Sequence, residues 1–146
     1  MIDARRQSDY IVHLRAPGTQ TAATNKDFGI LPFACELIGI IARLGTAGTT
    51  GSQICDVNKN GTTIFAKAAK ITFATTVATP TAFASDETAV SAPVQFAEGD
   101  NISFDVDSIH SGTAAINFSL VLHFRRIGVG GLKKVANAQV SGFGTY

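Results

Sequence analysis

The chain has 146 residues, a net charge of +1, 45% hydrophobic and 16% charged residues, with 10 Phe, no Trp, one Met and two Cys. A chain of this length buries roughly 70% of its unfolded surface in one domain, so neither a disulfide nor a metal is required to hold a core together. The longest apolar run, LIGIIA at residues 37–42, is strand-sized and excludes a membrane-spanning helix.

The charges of MIDARRQSDY lie where a signal peptide has its apolar region, so the expectation is cytosolic synthesis without Sec-type export. In residues 8–15, Tyr10, Val12 and Leu14 alternate with Ile11, His13 and Arg15, which predicts a strand. The following APGTQTAATNKDFGILPF is rich in turn formers and reads as a long irregular connection. Residues 1–27 are therefore expected to form an N-terminal arm.

Residues 34–44 are almost continuously apolar, as in a strand covered on both faces, and GTAGTTG at residues 45–51 ends them. In DVNKNGTTIF, residues 56–65, Asn60-Gly61 favours the two-residue turns whose twist matches the flanking strands, which predicts a β-hairpin. Further strands are expected at residues 70–74, 94–97 and 101–107, with Glu98-Gly99-Asp100 as the turn between the last two. In residues 115–126, Ile116, Phe118, Leu120, Leu122 and Phe124 are predicted to face inward and Asn117, Ser119, Val121, His123 and Arg125 outward. The fold class is all-β, an antiparallel β-sandwich at residues 28–126, expected to be a jelly roll, the commonest viral and lectin-like form of it. Residues 127–146 are too sparse in apolar anchors to fold alone and read as a C-terminal arm.

Charge is unevenly spread: +1 in residues 1–15, −4 in residues 16–107 and +4 in residues 108–146. A basic tail after an acidic body can be steered onto an acidic surface or a neighbouring subunit. Cys35 and Cys55 sit in apolar strand segments and read as buried free thiols.

His13, His110, His123, Cys35 and Cys55 lack the close spacing of zinc sites. Asp100, Asp105 and Asp107 are a calcium candidate, weighed against a solvated strand face, and no EF-hand pattern accompanies them. No serine lies in GxSxG, and GVGG at residues 128–131 is not a phosphate loop. The sequence predicts no enzyme, no cofactor, no nucleic-acid partner and no membrane partner.

The runs GIIARLGTAGTTGSQICDVNKNGTTIF (39–65), FAEGDNISFDVDSIHSG (96–112) and INFSLVLHFRR (116–126) together resemble a module of bacteriophage structural proteins. That resemblance implies a virion jelly-roll or sandwich protein, made in the host cytoplasm and placed on the head as a decoration or cement protein, or on the tail. The leading expectation is a small symmetric oligomer, a dimer or trimer, that binds the major capsid protein through its arms. Tyr10, Val12, Leu14, Arg15, Leu132, Lys133, Lys134, Phe143 and Tyr146 are the candidate contacts. The alternative is a tail or fibre-tip module that binds a host glycan through the loops at residues 45–51 and 108–114, although the chain has no Trp for sugar stacking.

Overall fold

The strand periods read above can be followed in the computed structural model, which describes residues 9–66, 70–80 and 94–127. Among these residues there are nine strands and no helix: β1 (Asp9–Thr19), β2 (Ala23–Ile30), β3 (Cys35–Thr46), β4 (Gln53–Lys59), β5 (Thr62–Thr63), β6 (Ile71–Phe73), β7 (Val94–Phe96), β8 (Asn101–Ser108) and β9 (Ile116–Arg126). They form a β-sandwich of two antiparallel sheets. One has the order β1-β9-β3-β7; the other has β2-β8-β4-β5, with β6 also pairing β4.

The alternation in β9 places Phe118, Leu120, Leu122 and Phe124 in the core as expected. Ile116, at the strand's start, remains partly exposed instead. Facing them from the second sheet are Cys55, Val57, Ile102, Phe104 and Val106. The Phe73 and Phe118 rings meet edge to face, as do those of Phe96 and Phe124, the favoured arrangement for aromatic quadrupoles.

The hairpin forms as predicted. Asn60 (φ 50°) and Gly61 (φ 86°) both take positive φ, as a type I′ turn requires, between the pairs Lys59 with Thr62 and Asn58 with Thr63. Across it, the Ile64 amide donates to the Val57 carbonyl.

Two expectations are corrected. The segment expected to be an arm and an irregular connection is, from Asp9 onward, two sandwich strands: β1 pairs with β9 from Asp9 opposite Arg125 to Thr19 opposite Ile116, and β2 pairs with β8. The turn formers lie within these strands as register breaks between Ala16 and Thr19 and between Ala23 and Asp27, with Gly18 and Asn25 at positive φ. Both are edge strands, where such breaks cost few ladder bonds. Pro17 belongs there for the same reason.

The second correction concerns β3. Its apolar run is not covered on both faces, because Ile41 is 68% exposed and Ile38 39% exposed, while Ala42 and Leu44 are buried. A register shift between Leu37 and Gly39 adds one residue to the strand at Ile38.

Candidate functional site

Three features outside the core combine chemistry with defined geometry: a carboxylate cluster, a loop junction and the outer face of β1-β9-β3. The cluster arises because β4 and β8 pair with Asp56 opposite Asp105, and Asp107 lies two residues further on the same face. Ligand-type atoms of Asp56, Asp105 and Asp107 lie within 4.8 Å of one another. Asp56 thus takes the place expected for Asp100. The Asp100 carboxylate instead accepts from the Ala97 amide at 2.8 Å and the Asn60 side chain at 3.2 Å, and these donors hold its pKa below the usual carboxylate value.

The cluster has its own cation. Lys70 Nζ lies 2.8 Å from Asp107 and 2.9 Å from Asp56. Those carboxylates, Asp107 first, hold the ammonium charged and raise its pKa. Thr63 donates to Asp56, and Asn58 and the Asn25 amide donate to Asp105. With its oxygens bonded in this way, the group ties β2, β4, β5 and β8 together.

At one end of the sandwich the two loops weighed for glycan binding meet. The Thr49 amide donates to the Thr113 carbonyl, the Gly112 amide to Thr49 and the Ser111 amide to Thr50. The Thr113 amide in turn donates to the Thr49 hydroxyl at 2.8 Å. These backbone groups are directed at each other and not at solvent. Beneath them His110 is 2% exposed and points Nε2 at the Ala74 carbonyl, 3.3 Å away. A carbonyl only accepts, so Nε2 is the donor in this contact.

The third feature is a sheet face. Cross-strand register sets Asp9, Arg125 and Glu36 in one row, then Ile11, His123 and Gly39, then His13, Val121 and Ile41, then Arg15, Ser119 and Arg43. Ile11 is 54% exposed and Ile41 68% exposed, so the middle rows present branched apolar side chains to solvent. Asp9 accepts from His123 at 3.2 Å and lies 3.7 Å from Arg125. Among the described residues, Arg15, Arg43 and Glu36 form no ion pair.

Of the expected contact residues, Leu14 is buried, while Tyr10 and Val12 are half-buried and pack against the core. Tyr10 also meets Phe33 edge to face at 5.2 Å. The face of β1 expected to touch a partner is thus the face that covers the molecule's own core. Arg15 lies on the opposite, exposed face, its amide donating to the Asp27 carboxylate at 2.9 Å. Leu132, Lys133, Lys134, Phe143 and Tyr146 lie outside the described residues.

His13 and His123 stand on the outer face, His110 is under the loops, and Cys35 and Cys55 are free thiols within the core. The five residues considered for zinc are therefore divided among three environments. Ile11, Ile41 and Asp56 were not singled out from sequence. For the isoleucines the signal was available in β1, where Ile11 shares a face with His13 and Arg15. No protein-family model matches the chain, and no curated protein or solved structure matches it.

Proposed function

We propose that the protein is a structural component of a bacteriophage virion, a decoration or cement protein that oligomerises and reinforces contacts between major capsid subunits. The observation that carries this reading is the outer face of β1-β9-β3, where Ile11 and Ile41 stand exposed on a sheet held rigid by its own core. Branched apolar side chains left exposed on neighbouring rows of one rigid face suit a surface used in association. The sequence resemblance supplies the virion context. The jelly-roll form is supported by the strand order: successive strands from β1 to β4 alternate between sheets, and the first and last strands pair within one sheet.

The test is to incubate the purified protein with particles that lack it and to locate bound copies by cryo-electron microscopy. Density at repeated positions on the shell is expected. Density confined to the tail, or binding to host cells without shell density, would overturn the decoration reading in favour of receptor recognition. Truncations that probe the arms should remove residues 1–8 or 128–146, because residues 9–15 lie in β1 and their loss would strip a strand from the sandwich.

A further inference from the structure

The exposed face of β1-β9-β3 is complementary to itself, and we propose that a second copy of this chain packs on it face to face, about a twofold axis lying across the strands. This names the partner of the face on which the proposed function rests. Such an axis keeps β1 over β1, β9 over β9 and β3 over β3 while reversing the order of rows along each strand. With the axis between the row of Ile11, His123 and Gly39 and the row of His13, Val121 and Ile41, each of these rows lies over the other from the second copy. The outer rows exchange in the same way.

Charge fits this arrangement. The row carrying Asp9 and Glu36 then lies over the row carrying Arg15 and Arg43, so Glu36 meets Arg43 of the second copy and Asp9 meets Arg15, each pair occurring twice. Arg15 and Arg43 flank Ser119 as two like charges in one row; the row laid across them sets a carboxylate over each, while its Arg125 falls over the uncharged Ser119. An axis along the strands would instead place each charged row over its own copy. The like charges would then repel, which selects the first arrangement.

Shape fits as well. Ile41, the most exposed large hydrophobic among the described residues, lies over Gly39 of the second copy. A β-carbon at Gly39 would approach only the His123 β-carbon, at 3.6 Å, so the absent side chain leaves a notch on the outer face. Ile41 is the knob and Gly39 the hole, and the symmetry supplies the pair twice. Aligned packing of two twisted sheets tolerates this geometry at a separation of roughly 10 Å.

The face is small. Three strands span roughly 14 Å, and residues 9–17 of β1 roughly 26 Å. The two-sided burial, roughly 700 Å², is thus below the roughly 1,200 Å² of a standard specific interface, which predicts a weak, transient dimer that dissociates on dilution.

Sedimentation of the full-length protein over a range of concentrations, without particles, tests the proposal. The wild type is expected to show a concentration-dependent monomer–dimer equilibrium. Ile41→Asp, at an exposed position where folding is retained, should raise the dissociation constant at least tenfold. Glu36→Arg and Arg43→Glu should each weaken association at least threefold, and combining them in one chain should restore it, because the crossed pair is re-formed with its signs exchanged.

A wild type that remains monomeric at all concentrations would overturn the proposal, as would a dimer indifferent to Ile41→Asp and to both charge reversals. Thermal melting of each variant separates loss of association from loss of fold. A dimer that forms but fails to decorate particles leaves this inference standing and removes the capsid reading; a monomer that decorates particles does the reverse.

Discussion

Gly48 lies flat against the buried ring of His110: a β-carbon at Gly48 would fall 2.4 Å from two imidazole ring atoms and 2.8 Å from the His110 β-carbon. The ring is 2% exposed, under the loops, with Nε2 directed at the Ala74 carbonyl, so yielding would require its surroundings to move. Gly48→Ala should therefore separate the loop junction and cost about 2–3 kcal/mol, as overpacked sites do. Chemical denaturation measures it. A loss below about 0.5 kcal/mol, the level of ordinary surface substitutions, would show that the junction adapts.

Gly61→Ala makes a useful contrast. Nothing lies within 4 Å of the position a β-carbon would occupy there, but φ is 86°. Its cost is conformational and should be about 1 kcal/mol, with no rearrangement of the core. The same denaturation series, read beside Gly48→Ala, distinguishes a steric glycine from a turn glycine.

Lys70→Met removes the ammonium that bridges Asp56 and Asp107. The expected loss is about 1–2 kcal/mol at neutral pH, since Asp56 is largely buried while Lys70 is partly solvated. Because the folded-state pKa of Lys70 is raised, its contribution is fully present below the ordinary lysine value and is lost only as pH rises through the raised one. The deficit of the variant should therefore be constant from neutral to mildly alkaline pH, as urea titrations at several pH values would show.

Alkaline destabilisation should begin earlier, at the cysteines. Burial pushes the Cys35 thiol up to about 11 and the Cys55 thiol up to about 12. Between the ordinary thiol value and these, the unfolded chain releases protons that the folded chain retains, so stability falls as pH rises. The decline should be about 1–3 kcal/mol over the first pH unit above roughly 9, and it should flatten when both cysteines are replaced by Ala. Both thiols should also resist alkylation until the protein is unfolded.

The parts of the fold visible in the sequence were those encoded locally. β9 alternates without interruption from Phe118 to Phe124, and Asn60-Gly61 carries its own turn chemistry. β1 and β2 were concealed because Pro17, Gly18 and Asn25 are turn formers, yet an edge strand accommodates them as bulges. The exposed face was concealed by the opposite cause, since a run such as Ile40-Ile41 is apolar whichever side is covered. The carboxylate cluster needed the pairing of Asp56 with Asp105, a relation between strands about 50 residues apart that no local period records.

The position of β9 also determines when the molecule can exist. The last strand described is not at the margin of its sheet but between β1 and β3, so the first sheet has no middle until the chain has been made through Arg126. During synthesis β1 and β3 must wait without their neighbour, their apolar sides unshielded. Contacts of such long sequence separation make folding slow and leave the nascent chain open to aggregation. A chain cut short before Ile116 should accordingly lose both sheets' shared core and be recovered as an insoluble species, not as a smaller sandwich.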